Sequence, residues 1–459
     1  MASGSRERAA PAVRLPHPLA LLTGCILLAA ALTWIVPAGE YDRQEDETTG
    51  RTVVVAGTYH AVERSPVGPL GMLLSVPRGL IDAGDVVFLV FLVGGAFAVV
   101  DRTGALRAAL EGLVRWLGNR AALAIPIVAL VFATGGALEN MQEEIIALVP
   151  ALVLLARRLG YDPLTAVAMC LGAAMVGSAF SPVNPFQVGI AQRLADVPLF
   201  SAGLYRSAFL VLALGVWIWG TMRYAARVRG PAEPIEAPAA GDNAHVATRT
   251  PWIIGLVFAT FALFIVGLVR WGWGFNELSA VFLGMGILAG LIGRLGVDGT
   301  AKAFVDGFRD MAFAGILIGF ARAIYVVLAD GRIVDTLVHA LFTPLESLPV
   351  GLAAVGMVPV QALIHVPVPS VSGQAVLTLP ILVPLSDLLG LSRQVTILAY
   401  QYGAGLCELL TPTNGALMAV LAAAGVPYDR WIRFVIPLWA ALTALGVGAI
   451  LLAIAIGLG

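Results

Sequence analysis

"GSAFSPVNPFQVG" (residues 177–189) and "CELLTPTNGALMA" (residues 407–419) each interrupt a long apolar run with the same device. A hydroxyl residue is followed by proline, one further residue and asparagine. Proline removes a backbone donor and frees a carbonyl one turn back. In hydrocarbon every such group needs a partner, so a break of this kind is tolerated only where the freed groups line a polar cavity. A kink used only for packing would explain either break alone. Two matched breaks beside polar segments point instead to paired interrupted helices around a binding site.

The rest of the chain places these breaks in a membrane. Of its 459 residues 59% are hydrophobic and only 12% are charged, about half the charge of an ordinary soluble protein. Apolar stretches of roughly 20 residues recur, long enough to cross a bilayer. The short alternating segments of a β-barrel are absent. The reading is an all-α polytopic membrane protein in the lipid bilayer. A net charge of -1 offers nothing to hold nucleic acid. Cys25, Cys170 and Cys407 lie in apolar segments and read as small buried hydrophobes.

Arg6, Arg8 and Arg14 precede the first apolar run, as in a signal peptide, and "LLTGC" ending at Cys25 resembles a lipoprotein cleavage site. The run continues through "ILLAAALTWIV" to Val36, so it reads as an uncleaved first span.

Full spans are predicted at 17–38, 84–101, 200–224, 251–271, 275–294, 311–329 and 434–457. Residues 39–83 are a polar connection in which "RTVVVAGTYHAV" predicts a short β-hairpin. Residues 230–250, rich in Pro and Ala, read as a flexible cytoplasmic linker.

Sliding the sequence along itself until Ser181 meets Thr411 lays Ser181-Pro-Val-Asn184 on Thr411-Pro-Thr-Asn414. The same register pairs Pro150 with Pro380, Leu159 with Leu389 and Gly160 with Gly390. The identity is weak, but the matches fall on residues that set backbone shape. We read an internal duplication. A first repeat, 1–229, holds a hairpin at 121–158 and an interrupted helix at 162–195. A second, 251–459, holds a hairpin at 347–388 and an interrupted helix at 394–424.

Arg115 and Arg120 precede the first hairpin and Arg157 and Arg158 end it. One crossing would separate these pairs, whereas a re-entrant hairpin keeps both inside. The layout is then two inverted repeats with nine crossings and two re-entrant hairpins, N-terminus cytoplasmic and C-terminus extracytoplasmic. Most of the 28 Lys and Arg fall on the cytoplasmic side.

Each break presents carbonyls with Ser181, or with Thr411 and Thr413, and an amide, Asn184 or Asn414. These are hard oxygen ligands suited to Na⁺, the only metal ion the sequence suggests. Half-helix N-termini suit a substrate carboxylate. The first hairpin tip, "ENMQEE" (139–144), carries Glu139, Asn140, Glu143 and Glu144. Helix capping is one role for these acids. An ion or substrate path is the other, because carboxylates at membrane depth are costly, and neighbouring acids suit proton carriage.

The second tip, "HVPVPSVSGQ" (365–374), offers neutral groups at Ser370, Ser372, Gly373 and Gln374. They suit recognition of a carboxylate or amide, or a capped helix start. Glu408 falls where the first half has Ser178. It reads as a site for a coupling ion or cationic substrate, or as a buried partner of Arg322, the arginine assigned within a span. His365 reads as a satisfied structural group. No zinc, P-loop, dinucleotide or Ser-His-Asp signature appears, so no cofactor is expected beyond the coupling ion, Na⁺ or H⁺.

At these residues the chain resembles the YfcC family, within the group holding the C4-dicarboxylate anaerobic carrier, p-aminobenzoyl-glutamate and arginine/ornithine transporter families. The resemblance runs from "VPAGEYDR" (36–43) to "PYDRWIRFVIPL" (427–438). Its most specific parts are "TGAL" (103–106), "MQEEIIALVP" (141–150), "NPFQVGIAQ" (184–192), "GFARAIYVVLADGRIVDT" (319–336) and "SGQAVLTLPILVPLSDLLG" (372–390). It implies an ion-coupled carrier with two inverted repeats, and a homodimer that moves a transport domain, hairpins included, against a fixed scaffold. The sequence departs from the family pattern at Val371, where Gly is frequent, and at Ala404 and Glu408, where Asp and Asn are frequent.

The sequence therefore predicts a secondary active transporter in the cell membrane, symporter or antiporter, for a small carboxylate-bearing metabolite, amino acids included. The alternative is an exchanger of basic amino acids. A membrane-embedded enzyme would need a nucleophile–base set or metal cluster, and none is visible. A structural or receptor protein would leave the paired breaks unexplained.

Overall fold

Caps, prolines and left-handed residues set where the helices begin and end. The computed structural model describes residues 17–46, 51–109, 112, 118–231, 243–271 and 273–459. Among these, seven helices are long and apolar enough to cross a membrane: Pro18–Ile35, Gly84–Arg102, Gly203–Val228, Phe275–Ile292, Gly296–Asp330, Val371–Leu388 and Tyr428–Ala455. Six fall on spans expected from the sequence. The seventh, Val371–Leu388, lies in the stretch read as a hairpin leg. The span expected at 251–271 lies within the helix Asn243–Trp271. That helix also takes in the last residues of the stretch read as a linker. Residues 232–242 of the linker and Arg115 lie outside the described residues, as do Arg6, Arg8 and Arg14.

The helices form two packed groups. In the first, the 35-residue helix Gly296–Asp330 is the hub, against which Pro18–Ile35, Pro69–Asp82 and Gly84–Arg102 pack. Phe275–Ile292 adds to the same group, whose core includes Phe97, Phe282 and Phe304. In the second group Ala124–Glu139 packs on Ala173–Ala179, and Val350–His365 on Arg393–Cys407. Gly203–Val228 and Tyr428–Ala455 pack on each other and on the broken helices. The two groups meet at two seams, Gly84–Arg102 against Glu143–Arg158 and Gly296–Asp330 against Gly415–Ala423.

The short strands pair differently from the expected hairpin. Arg51–Val54 pairs antiparallel with Arg43–Asp46, and His60–Ala61 with Gly39–Glu40. Each therefore binds a preceding segment rather than the other. Val53 and Val54 are buried, and their strand rests on Val371–Leu388. Arg43 Nη2 and the Tyr41 amide hold Asp335 at 2.9 Å, pinning this layer to Val334–Phe342.

Candidate functional site

Both breaks fall where the sequence puts them. The first helix stops at Ala179 and resumes at Pro185; the second stops at Cys407 and resumes at Gly415. Each resumption is capped by its asparagine. Asn184 Oδ1 accepts from the amides of Phe186 and Gln187, both at 2.9 Å, and Asn414 Oδ1 accepts from Leu417 N at 2.9 Å. The breaks are also tied to the hairpins by hydroxyls. Ser181 donates to Ala137 O at 2.6 Å, and Thr413 donates to Val366 O at 2.7 Å. Thr411 Oγ1 lies 2.7 Å from Thr413 Oγ1. Carbonyls at the breaks are also met by protein: Ser181 O accepts from Gln401 Nε2 at 2.8 Å, Leu409 O from Trp431 Nε1 at 2.8 Å and Leu410 O from the Tyr428 hydroxyl, as hydrocarbon demands.

The two tips are built differently. Ala124–Glu139 ends at Asn140, which takes the left-handed conformation (φ 59°, ψ 33°), one that asparagine tolerates. Glu143 and Glu144 then occupy the first turn of Glu143–Arg158, where the helix dipole favours negative charge. At the other tip Ser370 caps Val371–Leu388, accepting from Gly373 N at 3.2 Å.

The first tip touches both breaks. Ser178 Oγ donates to Asn140 Oδ1 at 2.5 Å, and Gln142 Nε2 donates to Glu408 Oε2 at 2.7 Å. Gln142 Oε1 also accepts from Asn414 Nδ2 at 3.2 Å. Ser178 and Glu408, which occupy corresponding places in the two halves, thus both bind this tip.

A cavity of about 660 Å³ gathers the tips and the second break. Asn140, Glu143, Glu144, Ser370, Ser372, Glu408, Thr413 and Asn414 line it, with Glu139. Ser181, Asn184, Gln374 and Thr411 do not line it and are buried in the surrounding framework. A second cavity of about 630 Å³, under the short strands, shares Arg322, Pro369, Ser370 and Ser372 with the first.

Three assignments change. Arg322 pairs with Asp82, not Glu408, and its guanidinium lies 4.9 Å from the Tyr325 ring. At 35% exposed it belongs to the cavity rim. The fully buried arginine within a span is instead Arg206, held by Gln401 and, at 3.1 Å, by Gln394 Oε1. The amide oxygens of Asn184 and Asn414, expected as Na⁺ ligands, accept the cap bonds of the resumed helices. His365 is only half satisfied, since its Nε2 has no hydrogen-bond partner.

Gln142, Asp82 and Asp85 also line the cavity. Gln142 stood in the tip motif between louder acids. Asp82 and Asp85 flank Gly84 at a helix junction that looked like an ordinary polar connection.

A helical multi-pass membrane protein whose helices break beside a cavity lined by acidic and neutral polar side chains has the arrangement of a membrane transporter. The chain belongs to the C4-dicarboxylate anaerobic carrier (DcuC) family, whose model matches residues 15–455. It is 31% identical to an Escherichia coli K12 protein described as "Putative basic amino acid antiporter YfcC", over 91% of this chain and 92% of that one. It is 28% identical to an uncharacterized protein of Haemophilus influenzae, over 96% and 97%. Among solved structures, the Alcanivorax borkumensis YdaH transporter aligns with a TM-score of 0.46 at 18% identity, covering 96% of this chain and 99% of that one. Neisseria gonorrhoeae MtrF aligns with a TM-score of 0.42 at 17% identity, over 95% and 94%. The family is one of transporters, not enzymes.

Proposed function

We propose that the protein is a secondary active transporter, coupled to Na⁺ or H⁺, for a small amino acid that carries an additional positive group. The observation that carries this is the charge of the cavity. Asp82, Asp85, Glu139, Glu143, Glu144 and Glu408 line it, against the single guanidinium of Arg322. Carboxylates at membrane depth are costly unless a cation meets them. A substrate ammonium or guanidinium directed at Glu143, Glu144 and Glu408 would supply that charge. Its carboxylate would lie toward Arg322, Ser370 and Ser372. The name borne by the Escherichia coli relative agrees with this reading. A dicarboxylate, which the family name suggests, would bring two more negative charges into the same space.

The finer architecture belongs to the same proposal. Caps at matched places in the two halves support two repeats: Asn184 with Asn414, and Asp162 with Ser392. Gly160 and Gly390, also paired, both adopt positive φ (81° and 69°). We read these repeats as inverted, with nine crossings, two re-entrant hairpins and a cytoplasmic N-terminus. The group of helices carrying hairpins and breaks would move against the group around Gly296–Asp330, in a homodimer.

A thermal-shift screen of the purified protein tests the substrate. L-arginine or L-lysine should raise the melting temperature, because a ligand that binds only the folded state stabilises it. Succinate should not. Stabilisation by succinate alone would replace this reading with dicarboxylate transport. Single cysteines at Arg120 and Arg157 should be labelled from the cytoplasm only, and labelling of either from outside would remove the re-entrant first hairpin.

A further inference from the structure

His365 is fully buried, yet its Nε2 makes no hydrogen bond. Its Nδ1 lies 2.8 Å from Gln374 Oε1. Gln374 spends its amide hydrogens on Gln361 O and Oε1, at 2.7 and 2.5 Å. Gln374 Oε1 is therefore the acceptor, and the imidazole carries its hydrogen on Nδ1. In neutral histidine Nε2 is then a bare lone pair. It faces Glu408 Oε1 at 3.9 Å. Glu408 is 3% exposed and spends its other oxygen on Gln142.

We propose that Glu408 and His365 form a proton-binding pair, and that its proton is the coupling ion. This rests on the reading of the cavity as a site for a cationic substrate. On binding, one O–H bond forms at Glu408 Oε1, and the two side chains close the 3.9 Å gap so that the Nε2 lone pair accepts it. On release that bond breaks, the proton passes to water in the cavity, and the carboxylate is left for the substrate cation. One positive charge replaces another, so the carboxylate is never left unpaired at membrane depth.

Position supports this order. Glu408 lines the cavity, whereas His365 lies behind it. The charged groups facing Glu408 across the cavity are Glu139, Glu143 and Glu144 from the first tip, Asp82 and Asp85 from the helix junction, and Arg322 from the hub helix. On its other side His365 binds the neutral Gln374, which is held in turn by Gln361 and Thr378.

Infrared difference spectroscopy of the purified full-length protein reads this site without transport. Raising the pH should remove protonated-carboxyl C=O band intensity, and Glu408→Gln should delete the component that belongs to Glu408. In His365→Phe, which keeps the ring volume and lacks the lone pair, the band should disappear at a pH lower by about one unit or more. Gln142→Leu removes a donor to the carboxylate and should move the midpoint the other way, which keeps the test open if the His365 variant does not fold. A difference spectrum that is unchanged in Glu408→Gln, or identical midpoints in the folded variants, overturns the pair. L-arginine should remove the band at constant pH in the wild type. If the pH titration appears as expected but neither L-arginine nor L-lysine touches it, the substrate reading fails and the proton pair stands.

Discussion

The two tips that meet in the cavity occupy corresponding positions and do different work. The first carries Glu139, Glu143 and Glu144 and reaches into both halves, through Asn140 to Ser178 and through Gln142 to Glu408. The second is neutral, and its Gln374 turns back on Gln361 and His365 of its own half. Glu144 and Gln374, which fall on each other when the two halves are aligned, show the contrast most directly: one lines the cavity with a buried, unpartnered Oε2 and the other closes a network. Beside the tips, matched positions share turns and caps, while the side chains that line the cavity differ. On the proposed reading, charge recognition would belong to the first tip, and the second would frame it.

The strongest way to break this comparison is through packing. A Cβ on Gly136 would lie 2.0 Å from Ala174 O, and one on Gly177 2.2 Å from Ala133 O. Both obstacles are backbone, which cannot yield without separating the first hairpin from its broken helix. Their counterparts, Val366 and Cys407, already carry side chains. The second half uses Gly403 instead, where a Cβ would meet Val358 O at 2.5 Å. Gly136→Ala and Gly177→Ala should each abolish monodisperse protein in detergent, and Gly403→Ala should do the same for the second half. Normal yield and melting temperature in either first-half variant would remove the close approach.

How much of this was legible follows from the range of each signal. The breaks, their asparagines and the polar tips are local patterns, and each falls where the sequence put it. The cap roles of Asn184 and Asn414 were not separable from ion ligation, because capping depends on where an oxygen points relative to amides two and three residues on. The partners of Arg322 and Arg206 lie 240 and 195 residues away, beyond any periodicity. Asp82 was hidden for the same reason. The strand pairing was missed because "RTVVVAGTYHAV" contains its own turn signal, while burial of Val53 and Val54 against Val371–Leu388 favours the preceding strand.

The caps give the next largest effect. Asn184 holds two amides and also donates to Gly136 O at 2.9 Å, so Asn184→Ala removes a cap and one of the two donors to a carbonyl that keeps the Asn140 amide. The cost should be about 1–3 kcal/mol. Asn414 holds one amide and Gln142, and its alanine variant should cost about 1–2 kcal/mol. Melting temperatures compare the two. If Asn184→Ala instead leaves stability unchanged and removes the ion dependence of uptake, the residue is an ion ligand and the cap is incidental.

Glu143→Gln with Glu144→Gln separates capping from recognition. A cap is satisfied by any good acceptor, and loss of the dipole interaction costs under about 1 kcal/mol per residue. A site for a substrate cation needs the charge. Uptake of L-arginine should fall at least about tenfold, while melting temperature stays level or rises because charge has left the membrane interior. Ser372→Ala at the second tip should lower uptake by less than about threefold, since it removes one neutral contact. Equal losses at the two tips would erase the distinction between them.

Arg322 gives the smallest effect and the finest test, because it stands beside the neutral tip at the rim shared by both cavities. Its pair with Asp82 is substantially exposed on both sides, 35% and 47%, so Arg322→Gln should cost under about 1 kcal/mol of stability. If the guanidinium orients the substrate carboxylate, the variant should weaken the apparent affinity for L-arginine about threefold to tenfold, near the roughly 1.4 kcal/mol that corresponds to a factor of ten. L-arginine methyl ester keeps the cationic group and lacks the carboxylate, so its affinity should not respond to the substitution. Because the two ligands share the guanidinium that the first tip would hold, the difference between them isolates the rim. Equal weakening for both ligands would show that Arg322 acts through Asp82 and the shape of the rim, and the carboxylate would then have to be met by the second tip alone.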